Sequence, residues 1–217
     1  MTDRRREIDR EAWSPPGATK AQARTLAEYA GPWLAQRPLK PRTRVHYEQL
    51  LHNLILPAFG SSTLTSITPA KVREWHAGMG TRTPTLRAHA YSLLRAILIT
   101  AVSDELIPAN PCTLRGAGSS KPVHRVKPAS IAEIAVLVAA MPPKHRTMTL
   151  LAAWCALRFG ELTELRRKDL DLDAGVIHVR RAVARVHGKA VVGSAKSAAG
   201  PATWPCRHIY CRVWCST

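Results

Sequence analysis

One stretch limits the architecture more than any other. Gly116-Ala117-Gly118-Ser119-Ser120-Lys121-Pro122 and the basic residues that follow offer almost nothing to a hydrophobic core. Glycine and proline interrupt helical and strand periodicity alike, so no single apolar pattern can run through this region. The spacing therefore predicts two bodies joined by a linker over residues 113–128.

Ahead of that linker the apolar residues recur at helical spacing. Residues 1–18, ending in Ser14-Pro15-Pro16-Gly17, read as a flexible basic tail. A first helix is expected after Thr19, with Ala23, Leu26, Ala27, Ala30, Trp33 and Leu34 on one face and Pro32 marking a break or a new first turn. A second spans 41–54, placing Val45, Leu50, Leu51 and Leu54 inward and Arg42, Arg44 and His46 outward, before a turn at Pro57 and Gly60. A third opens at Ser66-Ile67-Thr68-Pro69 and runs to about 79. A fourth spans 83–105 with Leu86, Ala90, Leu93, Leu94, Ile97, Leu98 and Ala101 as its stripe, and Asn110-Pro111 closes it. Residues 19–112 thus form one helical module.

Beyond the linker the pattern changes. Ser130 and Glu133 make a capping box for a helix that stops at Met141-Pro142-Pro143. The next helix, 144–156, is apolar enough to predict a buried core element, and a turn at 157–160 leads to a short helix over 161–166. Alternating β-branched residues over 175–183 predict a strand, His187-Gly188-Lys189 a turn, 190–192 a returning strand and 196–200 a further turn. The expected fold class is mainly α with a small antiparallel β-sheet, the second body occupying 129–200.

Charge narrows the function. Lys and Arg total 32 against 15 acids, a formal charge of +17 spread along the chain rather than held in one tail. Such a surface suits the neutralisation of phosphates and the release of their counterions. Ribosomal proteins, membrane-surface proteins and codon usage rich in Arg and Ala give a similar balance. No apolar run approaches the ~20 residues of a membrane span. The charged start, Met1-Thr2-Asp3-Arg4-Arg5-Arg6, lacks the apolar segment of a signal peptide. A cytoplasmic protein with no membrane partner is expected.

The chemistry concentrates in Leu157-Arg158-Phe159-Gly160-Glu161-Leu162-Thr163-Glu164-Leu165. Glu161 lies three residues from Arg158, close enough to orient it, and a guanidinium can grip phosphate oxygens in two places at once. An ordinary surface Arg–Glu pair has the same spacing, and the residues by themselves leave both readings open.

This stretch, followed by Asp169-Leu170-Asp171, closely resembles the first arginine box of the tyrosine recombinases, the phage integrase family. Val176-Ile177-His178-Val179 and Lys196-Ser197-Ala198-Ala199-Gly200 resemble that family's sheet and the hairpin bearing its lysine. The helical module ending at Asn110-Pro111 is similar to its SAM-like core-binding domain. The resemblance implies an enzyme that breaks and rejoins double-stranded DNA through a 3′-phosphotyrosine, with no cofactor, no metal and no small-molecule substrate, as a tetramer. It implies that Arg158 is the first phosphate-binding arginine, Glu161 its support, and Lys196 the proton donor to the leaving oxygen, with Lys189 a second candidate at the hairpin tip. Candidate DNA contacts are Arg42, Arg44, Arg82 and Arg87 on the helical module and Lys121, Arg125 and Lys127 along the linker.

The sequence also departs from the pattern. No His-x-x-Arg follows Lys196, and Tyr210 comes too soon after it to sit on a separate helix. The catalytic domain is therefore expected to be incomplete, and this polypeptide inactive by itself and monomeric. Residues 201–217 carry Cys206, Cys211, Cys215, Trp204 and Trp214 without a clear period. A metal knuckle of Cys206, His208, Cys211 and Cys215 does not match the usual zinc spacing. A frameshifted, aberrant tail is expected instead. Completion by another chain, or a small basic DNA-binding regulator without recombinase activity, are the alternatives.

Overall fold

The computed structural model describes residues 24–120, 126–171, 173–194 and the backbone of 202–205. They fall into two compact units divided between Val123 and His124.

The first unit is helical: α1 (Leu26–Ala35), α2 (Pro41–Leu50), α3 (Leu56–Phe59), α4 (Pro69–Gly78) and α5 (Pro84–Ser103). Helix α1 opens at Leu26 with Thr25 as its cap; the start expected after Thr19 lies outside the described residues. The Thr25 side chain accepts the Glu28 N–H, and the Glu28 carboxylate accepts the Thr25 N–H at 2.8 Å. That reciprocal box satisfies two donors which a helix start otherwise leaves orphaned. The helix runs through Pro32 rather than breaking there, and Trp33 and Leu34 beyond it are buried. Their packing outweighs the one backbone bond that proline removes.

The expected end of the second helix at Leu54, with a turn at Pro57, is also corrected. Residues Leu51–Ile55 form a widened helical turn in which the Leu56 N–H reaches back to the Leu51 carbonyl. Helix α3 then carries Pro57 as far as Phe59. In a regular helix the proline ring collides with the carbonyl four residues earlier, and a loosened turn just before it removes that collision. The chain reverses at Gly60, whose N–H bonds the Leu56 carbonyl at 2.8 Å.

Helix α5 is the axis of the unit. Leu94, Ile97, Leu98 and Ala101 are wholly buried, as their spacing predicts, whereas Leu86 in the first turn is 40% exposed. Side-chain bonds tie the shorter helices to it. Tyr29 donates to Asp104 at 2.6 Å, and Trp33 Nε1 donates to Thr100 at 2.8 Å. Asn110 donates to the Arg95 carbonyl and accepts the Cys112 N–H. Residues 113–120, expected as free linker, instead lie along α5. The Leu114 N–H donates to the Tyr91 hydroxyl at 2.8 Å, and Ser92 donates to the Gly118 carbonyl.

The second unit holds α6 (Ile131–Ala140), α7 (Pro143–Cys155) and α8 (Phe159–Leu162). It also holds the strands β1 (Leu170–Asp171), β2 (Val176–Val179), β3 (Arg181–Val186), β4 (Lys189–Ser194) and β5 (Ala202–Pro205). The Ser130–Glu133 capping box opens α6 as expected. Strand β2 sits between β1 and β5, antiparallel to both, while β3 and β4 make a separate hairpin. That hairpin turns at His187 and Gly188, both with positive φ, as a two-residue turn with right-handed strand twist requires.

Four expectations change here. The strand predicted over 175–183 breaks at Arg180, and its halves join different sheets. Helix α8 begins two residues early, at Phe159. Helix α7 is not buried all round: Leu151 and Cys155 face the core, while Trp154 is 42% exposed. Four residues of the stretch expected to be an aberrant tail pair with β2, Trp204 opposite Ile177. The core consists of Leu151, Cys155, Leu157, Ile177 and Val179, and the apolar residues Ile131 and Val136 of α6 remain 71% and 70% exposed. The turn expected at 196–200 lies outside the described residues.

Gly160 lets α8 lie directly on the hairpin. A Cβ built there would stand 2.3 Å from the Val183 carbonyl oxygen of β3. Gly160→Ala is therefore expected to cost about 1–3 kcal/mol or more and to raise hydrogen exchange in β3. In the first unit, Tyr91→Phe removes the partner of a part-buried N–H. It should lower stability by about 1–3 kcal/mol, seen as a lower urea midpoint at unchanged m-value.

Candidate phosphate-binding site

Helix α7 stops because Ala156 adopts a left-handed conformation, φ 49°. The turn drops Leu157 into the core and leaves Arg158 extended, φ −71° and ψ 151°, as the residue before α8. Glu161, only 6% exposed, then faces back toward it. Its Oε2 accepts the Arg158 backbone N–H at 3.0 Å, and its Oε1 pairs with Arg158 Nη1 at 3.0 Å. One buried carboxylate thus fixes both the backbone and the guanidinium of the same residue. The Arg158 side chain is 64% exposed, so its outer edge faces solvent. A fixed, outward fork with a buried counter-charge behind it suits an anion with several oxygens.

The same device recurs one turn later. Asp169, 1% exposed, accepts the Arg166 backbone N–H at 3.1 Å. It also pairs with Arg181 and lies 3.9 Å from Arg180 Nε. Glu164 joins Arg166 Nε at 3.0 Å and Arg181 Nε at 3.6 Å. This network ties the segment after α8 to the first residue of β3. Glu164 and Arg181 carry no separate signal in the sequence. Asp169 does, because Arg166-x-x-Asp169 repeats the spacing of Arg158-x-x-Glu161.

The other sequence candidates divide. Arg42 on α2 and Arg82 ahead of α5 are exposed, as is Lys127. Arg44 is a brace rather than an outward contact: its two terminal nitrogens donate to the Leu34 and Arg37 carbonyls, each at 2.8 Å. Arg87 donates to the Gly80 carbonyl at 2.9 Å and lines a cleft in the helical unit. Lys189 opens β4 at the hairpin tip. Lys196, Lys121, Arg125, Tyr210 and the residues Cys206, His208, Cys211 and Cys215 lie outside the described residues.

Burial pushes the Cys112 thiol up to about 12. Burial and the bond to Asp104 raise the Tyr29 phenol, and burial raises Tyr91. Among the described residues no three potential ligands gather around a metal position, and no helix is long and apolar enough to cross a membrane.

The family of phage integrase N-terminal SAM-like domains matches residues 25–79. The prophage phiRv2 integrase of Mycobacterium tuberculosis is 51% identical over 201 residues, covering 92% of this chain and 54% of the relative. The integrase of Mycobacterium phage L5 is 42% identical over 205 residues, covering 91% and 54%. The chain therefore spans about half the length of the curated relatives it matches. Among solved structures, the Tn1549 transposon integrase in complex with a circular intermediate DNA superposes with a TM-score of 0.71 at 23% identity, covering 83% of this chain and 60% of that one. A lambda integrase dimer bound to a COC′ core site gives 0.64 at 17%, covering 88% and 55%. By sequence the chain is similar to phage and prophage integrases over nine-tenths of its length, and it shares its fold with the solved integrases.

Proposed function

We propose that this chain binds duplex DNA as part of a site-specific recombinase, with Arg158 gripping oxygens of the phosphate that is to be broken. The observation that carries this reading is the clamp. Phosphoryl transfer builds charge on non-bridging oxygens, and a cation already held in place stabilises that charge without reorganising. Glu161 supplies the holding. The distributed +17 charge supplies the sequence-independent grip on the duplex. Exposed Arg42, Arg82 and Lys127 are candidate backbone contacts, with Arg87 at its cleft.

Lys196 is the proposed proton donor to the leaving 5′ oxygen. What supports it is the hairpin: Ser194, two residues earlier, pairs with Arg181, which is itself bonded to Asp169 beside the arginine box. The nucleophilic tyrosine and the His-x-x-Arg pair have no counterpart between Lys196 and Thr217 that fits the family's spacing. A polypeptide of these 217 residues, without that tyrosine, is proposed to bind DNA and to form no covalent link to it.

Fluorescence anisotropy with labelled duplex tests the reading. Binding is expected at low salt, weakening as salt rises with a log–log slope of about −0.9 per phosphate contacted. Arg158→Ala should weaken binding by roughly tenfold, the worth of one charge-assisted hydrogen bond. A nicked suicide duplex should yield no covalent adduct on a denaturing gel. Lack of any salt-dependent binding would sink the DNA reading, and an adduct would sink the non-cutting one.

A further inference from the structure

A cleft of about 250 Å³ opens in the helical unit between the end of α4, the start of α5 and the segment that follows α5. His76, Pro84, Arg87, Leu114, Arg115 and Ser119 are among the residues that line it. Two arginines line one small concavity, and no Asp or Glu lines it. Neither arginine forms an ion pair among the described residues. Arg87 is held in place by its bond to the Gly80 carbonyl at 2.9 Å. Beside them His76 Nε2 is buried with no hydrogen-bond partner among the described residues, its ring 5.5 Å from that of Tyr91. Burial, with the Arg87 charge near it, keeps the His76 imidazole below its ordinary value.

Like charges gathered at one concavity repel unless an anion sits between them. The volume lies below the ~300–1,000 Å³ of sites that enclose whole small molecules. It suits a single tetrahedral oxyanion with a few waters. Arginine forks match the oxygens of such a group. A duplex presents that group in quantity, and the exposed Arg82 is close by in sequence at the approach to α5.

We propose that this cleft seats one backbone phosphate of duplex DNA, held by Arg87 and Arg115 with His76 at its wall. The inference rests on the DNA-binding reading above and names a contact within it. Because the group held is a phosphate rather than a base edge, the cleft contributes affinity and placement but no sequence preference. Arg115 enters as a DNA contact that the sequence analysis does not name, although it names Lys121, Arg125 and Lys127 in the same stretch.

The test uses the full 217-residue chain and two duplexes of unrelated sequence. Arg115→Gln should weaken both by the same factor, roughly tenfold, and make the salt slope shallower by about 0.9. Arg87→Gln is the second variant; it also removes the bond to Gly80, so its fold is checked by circular dichroism. In parallel, the imidazole NMR signals of His76 are followed during addition of duplex, and separately of inorganic phosphate. The duplex should shift the His76 signals, and Arg115→Gln should abolish that shift. Wild-type binding with an unchanged slope in Arg115→Gln and unmoved His76 signals would overturn the inference while leaving the DNA reading intact. Failure of the wild type to bind would overturn both. A shift with inorganic phosphate but none with duplex would assign the cleft to a free phosphate and overturn the DNA contact.

Discussion

A carboxylate taken out of water needs a cation and hydrogen-bond donors around it, and the second unit is organised by that demand at two points. Glu161 meets it with the backbone N–H and guanidinium of Arg158. Asp169 meets it with the backbone N–H of Arg166 and the side chain of Arg181. Among the described residues the apolar core beside them has Leu151, Cys155, Leu157, Ile177 and Val179 buried, with Leu150, Leu162, Leu165 and Leu170 packed against them. The polar framework does much of the orienting. Removing one partner of a buried pair costs about 3–5 kcal/mol, comparable to losing a large core side chain.

The two carboxylates differ in what they leave outside. Arg181 is turned inward, its side chain 22% exposed, and it joins the loop after α8 to β3. Arg158 is turned outward from the same short segment. Gly160 between them lets α8 touch the backbone of β3. One short segment is thus anchored on its helix, its strand and its loop, and presents the Arg158 guanidinium to solvent. This is how a short segment can hold an exposed guanidinium in one orientation.

Much of this was legible from local spacing. The stripe Leu93, Leu94, Ile97, Leu98 and Ala101 located α5, and the Arg158-x-x-Glu161 spacing located the clamp. Thr25-x-x-Glu28 carries the capping box that opens α1, a spacing open to view in the sequence. Pro57 reads as a helix stop because a widened turn leaves no mark on apolar periodicity. The break at Arg180 was hidden within one β-branched run, since strand propensity does not say which sheet a strand joins. Arg44 looked like a ligand contact because the carbonyls it bonds belong to no side-chain pattern. The role of Arg181 depends on a partner twelve residues away on another element, a tertiary relation that no local window contains.

The loosened turn at Leu51–Ile55 has an effect on the phase of the helix as well as on its proline. Leu51, Ile55 and Phe59 are all buried, at steps of four residues. In a regular helix each such step overshoots a full revolution by about 40°, so the row would spiral away from any flat neighbour. Widening one revolution cancels that drift. The row stays aimed along one line, and Phe59 meets the ring of Trp75 at 5.4 Å instead of pointing past it.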